Sequence, residues 1–160
     1  MGDDVSDTGM TNEECYHFDA FGYLVVRNAL ERDELETCVL ALERIDPEEV
    51  PAVAAHRYPF LQLRYHPVLA RYATELCGEG WRVDGRPHLV GRGQGEGEAL
   101  AGGGERLDWS RAYHHDHGVR LCQRLEAYWA LADAEPGDGG LVLIPASHNS
   151  LVGLPAEVAD

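Results

Sequence analysis

The sequence contains no lysine. Its 13 basic residues are all arginine, set against 28 acidic ones, for a formal net charge of −15. Without lysine there is no amine for a Schiff base and no P-loop lysine. A surface this acidic repels phosphate backbones and anionic lipid, which argues against nucleic acid and membrane as partners. Cysteine is scarce as well: Cys15, Cys38, Cys77 and Cys122 are scattered, and no two form a C-x-x-C. That excludes a zinc ribbon and a dense disulfide frame, and it is the pattern of reduced thiols in a cytoplasmic protein. No apolar run approaches the length of a membrane span. Met1-Gly2-Asp3-Asp4 has neither the basic start nor the apolar stretch of a signal peptide.

What is present describes one folded domain. The chain has 160 residues, and 44% of them are hydrophobic, three of those tryptophan, too apolar for a disordered chain. Residues 1–10 are polar and expected to be a disordered tail, with a single domain over 11–160. Thr11 with Glu14 forms a capping box, so a helix is expected from Asn12 to Phe21, stopped by Gly22. Tyr23 to Arg27 reads as a short strand. A second helix is expected from Glu31 to Ile45, with Leu35, Cys38, Val39 and Leu42 as its core stripe and Pro47 as its end. A third should start after His66-Pro67 and stop at Cys77-Gly78.

The second half reads as strands. Trp81 to Val90 alternates in polarity, with Pro87 favouring an edge and His88 on the polar side. Residues 91–105 are glycine-rich but hold no G-x-G-x-x-G and no Walker lysine, so they read as a surface loop. Val119 to Leu131 alternates as one long strand. Pro136 to Gly140 signals a turn, and Leu141 to Ile144 reads as the next strand. Helices followed by a run of strands imply an α+β or mostly β fold, and no β-α alternation supports a parallel nucleotide-binding sheet.

Within this frame, Tyr113-His114-His115-Asp116-His117-Gly118 concentrates three histidines and an aspartate. On an extended strand His114 and Asp116 share one face, and His115 and His117 the other. Three readings follow: a solvated loop, an H-x-H chelate, or an H-x-D chelate. An H-x-H pair of the cupin type wants a glutamate shortly afterwards, and the next acid is Glu126. An H-x-D pair supplies a neutral imidazole and a carboxylate to adjacent positions around a metal. With one further histidine that is the 2-His-1-carboxylate triad of non-haem Fe(II) oxygenases.

Four segments in order resemble the phytanoyl-CoA dioxygenase family. Phe18-Asp-Ala-Phe-Gly-Tyr-Leu-Val-Val-Arg-Asn-Ala-Leu30 is similar to its N-terminal signature, and Tyr113 to Gly118 to its W-H-x-D-x-G segment. Tyr128-Trp-Ala-Leu-Ala-Asp133 and Asp138-Gly-Gly-Leu-Val-Leu-Ile-Pro-Ala-Ser-His148 resemble its strand–turn–strand ending in P-G-S-H. The resemblance implies a double-stranded β-helix (jelly roll) preceded by N-terminal helices, and an oxygenase using Fe(II), 2-oxoglutarate and O₂ on a small organic substrate. It makes His114 and Asp116 iron ligands and places Trp129 at the 2-oxoglutarate pocket, where core packing is the plainer role. His148 falls where the family has a turn histidine that is not a ligand, and Ala146 replaces the usual glycine. Related halogenases drop the carboxylate, so Asp116 favours hydroxylation.

The family's second histidine ligand and the arginine that clamps 2-oxoglutarate follow the P-G-S-H turn. The 12 residues after His148 contain neither histidine nor arginine. The expectation is therefore an incomplete N-terminal and central part of a barrel, with little or no turnover as it stands and strand edges prone to self-association. The alternative is a non-catalytic remnant serving as a structural or interaction domain.

Overall fold

The computed structural model describes residues 9–45, 58–84, 113–135, 138 and 140–159. Among them are helices α1 (Asn12–Phe21), α2 (Arg32–Glu43), α3 (Phe60–Leu63), α4 (Pro67–Cys77) and α5 (Ala156–Ala159). They also include strands β1 (Tyr113–Asp116) and β2 (Val119–Cys122), and a 3₁₀ turn at Ser147–Asn149. The fold is α+β, with a two-stranded antiparallel sheet among the described residues. No helix there is long and apolar enough to cross a membrane.

The helices form where local signals call for them. Thr11 Oγ1 accepts from Glu14 N at 3.1 Å, and Glu14 Oε2 accepts from Thr11 N at 2.8 Å, closing the capping box of α1. Gly22 ends α1 in the left-handed region, at φ 81°, its N–H bonded to the Phe18 carbonyl. At α4, His66 Nδ1 accepts from Val68 N at 3.3 Å, and Pro67 occupies the first helical position, where a missing N–H costs nothing.

The strands largely do not form as read. Residues 23–26 and 141–144 belong to no strand, and the strand expected over 119–131 stops at Cys122. Strand structure requires a neighbouring chain to accept and donate each backbone bond. Alternating polarity supplies the faces but not the neighbour. Only the first four residues of the 119–131 run find one, in β1. Trp81 to Asp84 are also in no strand. The rest of that expected strand (85–90, with His88), the 91–105 loop and most of the tail (1–8) lie outside the described residues.

Buried apolar side chains gather in two clusters. The larger joins Met10, Phe18, Tyr72, Leu76 and Cys122, with Cys15, Leu24, Val68, Cys77, Tyr113 and Leu125 packed against them. Met10, at the end of the tail in the sequence reading, is thus part of the core. This cluster seats the hairpin on α1 and α4. A polar group clamps the two helices: Tyr72 OH donates to Glu14 Oε1 at 2.5 Å, and Arg71 reaches Glu14 Oε2 at 3.0 Å and the Gly9 carbonyl at 2.9 Å. The second cluster joins Cys38 and Phe60 with Ala41, Leu42, Ile45, Leu63 and Leu131. The expected stripe of α2 is thus only half core: Leu35 and Val39 line an open groove with Leu40.

Candidate functional site

The histidine cluster forms a hairpin. β1 and β2 pair with Tyr113 opposite Cys122, His114 opposite Leu121, His115 opposite Arg120 and Asp116 opposite Val119. Two residues, His117 at φ 48° and Gly118 at φ 80°, make the connection. Positive φ at both central positions is the signature of a type I′ turn, whose twist matches that of paired strands. Gly118 takes that conformation freely, and histidine is among the side chains that tolerate it.

The register divides the hairpin into two faces. Tyr113, His115, Arg120 and Cys122 lie on the inner face, toward α1 and α4. Positions 114 and 116 lie on the other, with Val119 and Leu121. The alternation expected from sequence holds for His114, His115 and position 116. It fails for His117, which the turn removes from the strand, so His115 and His117 do not share a strand face. His114 is half-buried; the side chain of Asp116 lies outside the described residues.

Asp19 organises the inner face. Its Oδ1 accepts from the Tyr113 hydroxyl, lies 3.2 Å from Arg120 Nε and 3.7 Å from His115 Nε2. Burial, reinforced by the bond to Asp19, pushes the Tyr113 phenol well above its ordinary value, so it stays a neutral donor. His148 joins the same place. Its Nε2 lies 3.1 Å from the Asp19 carbonyl, and its ring meets that of Tyr113 edge to face at 4.9 Å. Donation to that carbonyl requires the Nε2–H tautomer. Asn149 Nδ2, 3.0 Å from the same nitrogen, then gives its hydrogen to the Asp19 carbonyl at 3.5 Å instead. Ala146 N donates to the Phe21 carbonyl at 2.9 Å, so the whole 146–149 turn is tied to the end of α1. Ala146 itself stands at φ 66°, which explains why glycine suits this position.

Asp19 was not singled out from sequence, although it stands in the Phe18 to Leu30 segment. Its partners are far along the chain, Tyr113 by 94 positions and His148 by 129, and no local pattern couples residues at that distance. Trp129 is half-buried and meets the His66 ring edge to face at 5.2 Å, on the helical side. His66 in turn lies 3.3 Å from Glu34 Oε1.

The two hairpin faces therefore differ in chemistry. The inner one gathers donors on Asp19 and fixes the hairpin's orientation. The outer one sets position 114 and position 116 on one side, two residues apart, the spacing at which an imidazole and a carboxylate can take adjacent places around a cation. Among the described residues, no group of three or more His, Cys, Asp or Glu side chains is placed to hold a metal. No family model matches the chain, and neither the curated proteins nor the solved structures include a match.

Proposed function

We propose that the chain carries the N-terminal and central part of a phytanoyl-CoA dioxygenase-like oxygenase, hydroxylating a small organic substrate with Fe(II), 2-oxoglutarate and O₂. The observation that supports this is the hairpin register, which sets positions 114 and 116 on one face while His115 turns to Asp19 on the other. That arrangement favours the H-x-D pair over H-x-H. Two donors fit two of the three protein positions of a facial triad. In this reading the third histidine and the arginine for the far carboxylate of 2-oxoglutarate come from outside these 160 residues.

Iron and 2-oxoglutarate, when bound, supply the oxidising power for an unactivated C–H bond. The chain's own residues supply geometry. His114 and Asp116 are the residues that would hold the metal. Tyr113 and Arg120, anchored on Asp19, fix the rotation of the hairpin about its own axis and so the direction of His114. Trp129, which packs on His66, would line the 2-oxoglutarate pocket, as the family resemblance implies. Val119 and Leu121 are 58% and 37% exposed beside His114. They give the outer face the apolar surface that the remaining strands of a jelly roll would cover, or through which two copies would associate. Four free thiols fit a cytoplasmic location.

The test is anaerobic titration of the purified chain with Fe(II) and 2-oxoglutarate. The expected result is a weak metal-to-ligand charge-transfer band that His114→Ala abolishes. No band at any concentration, or a band untouched by His114→Ala, refutes the site and leaves the chain a structural or interaction domain.

A further inference from the structure

Two free thiols meet where α4 ends against β2. Cys77 is the last residue of α4 and Cys122 the last of β2. Their sulfurs lie 3.9 Å apart, although the residues are 45 positions apart in the chain. Each is held there by its own element. α4 buries Tyr72, Ala73 and Leu76, and Leu76 and Cys122 share one core cluster against which Cys77 packs. The hairpin register sets Cys122 opposite Tyr113, on the inner face.

The two sulfurs are not equivalent. Cys122 is 5% exposed. Its S–H donates to the Arg124 carbonyl at 3.4 Å, and its sulfur accepts from the Cys77 S–H at 3.9 Å. Cys77 is only half-buried, and it precedes Gly78, around whose Cβ position nothing lies within 4 Å. Cys77 is thus the more accessible of the two. Pairing with Cys122 draws the Cys77 thiol down to about 7 against the opposing effect of burial, while the same pairing and burial push Cys122 up. One thiol close to ambient pH beside one that is protonated while the first is free sets the order of attack, Cys77 first and Cys122 second.

We propose that Cys77 and Cys122 form a reversible dithiol site that exchanges with low-molecular-weight disulfides, Cys77 attacking and Cys122 resolving. The Cys77 thiolate, its proton released to solvent, attacks one sulfur of R–S–S–R. A bond from Cys77 Sγ to that sulfur forms, the R–S–S–R bond breaks, and RS⁻ leaves and is protonated. Cys122 then releases its proton to solvent, and its thiolate attacks Cys77 Sγ. The mixed disulfide breaks, and a second RS⁻ leaves and is protonated. The protein gives up two hydrogens and two electrons, one R–S–S–R becomes two R–SH, and a Cys77–Cys122 bond remains. That bond staples the end of the hairpin to α4 and needs no metal, so it stands apart from the iron reading. Cys15, beside the same cluster, and Cys38, in the other, serve as internal controls.

The probe is oxidised glutathione. The reduced chain is equilibrated at set ratios of oxidised to reduced glutathione, quenched with acid, alkylated under denaturing conditions and mapped by peptide mass spectrometry. Two thiols are expected to disappear together as a cross-link between the Cys77 and Cys122 peptides, reversed by reduced glutathione, with Cys15 and Cys38 alkylated. Cys122→Ser should trap glutathione on Cys77, and Cys77→Ser should leave Cys122 unmodified. Four alkylated thiols at every ratio, or cross-links running to Cys15 or Cys38, overturn the proposal. The wild-type cross-link decides the question even where a serine variant does not fold.

Discussion

Gly22 is where α1, the hairpin and the 146–149 turn depend on one missing methyl group. It stands at φ 81°, and a Cβ added there would lie 2.4 Å from His148 Nδ1 and 2.7 Å from its Cγ. Gly22→Ala therefore carries two costs. The left-handed backbone costs about 1–2 kcal/mol for any residue with a Cβ. The overlap forces the His148 ring out, which removes its bond to the Asp19 carbonyl, worth about 0.5–1.5 kcal/mol. The edge-to-face contact with Tyr113, worth about 0.5–1.5 kcal/mol, goes with it. The total is about 2–5 kcal/mol, a large part of the ~5–15 kcal/mol that holds a domain folded. Gly118→Ala is the control. It too has positive φ, 80°, but nothing lies within 4 Å of its Cβ position, so it carries the backbone cost alone, about 1–2 kcal/mol. Urea unfolding of both variants, alone and in a His148→Ala background, separates the two parts. Gly22→Ala should exceed Gly118→Ala by about 1–3 kcal/mol, and the excess should vanish without the His148 ring. Equal penalties, or an excess that survives His148→Ala, would refute the seating of His148 against Gly22.

The converse holds at Ala146, which adopts φ 66° with a Cβ. Ala146→Gly should raise stability by about 0.5–1 kcal/mol, the left-handed cost less the greater freedom of glycine in the unfolded chain, read as a higher urea midpoint with unchanged slope. At the α1–α4 clamp, the Tyr72 hydrogen bond holds the Glu14 carboxyl below its ordinary 4.5. Its contribution is present above 4.5 and lost as pH falls through the lowered folded value. Burial and Glu14 push Tyr72 up to about 12 from 10, a contribution present below pH 10 and lost as pH rises toward 12. Tyr72→Phe should therefore flatten both arms of the plot of urea midpoint against pH; a plot that keeps its wild-type shape would show that the clamp does not couple the two groups.

The legible parts of this protein are those decided within a few residues. The capping box at Thr11 and Glu14, Gly22 as a stop, and Pro67 after His66 specify α1 and the start of α4 because a helix bonds each residue to one four away. Alternation along residues 113–116 separates His114 and position 116 from His115 for the same reason. It misleads at His117, because Gly118 after it makes a two-residue turn and ends the strand there.

What the tertiary structure alone decided is everything that needs a distant partner. Residues 23–27 and 141–144 carry strand composition, yet strand pairing is a property of two segments, and none of these residues is paired in a strand. Asp19 becomes a hub only because folding brings Tyr113, Arg120 and His148 to the last turn of α1. Cys77 and Cys122, scattered in the sequence, come within 3.9 Å because α4 and β2 bury their apolar sides in one cluster. By itself, the sequence determined α1, α2 and α4, but not the four-residue helices α3 and α5, together with the acidic lysine-free composition and the two faces of the histidine strand. Which face meets the core, and which thiols meet each other, followed from burial, which no short stretch of sequence controls.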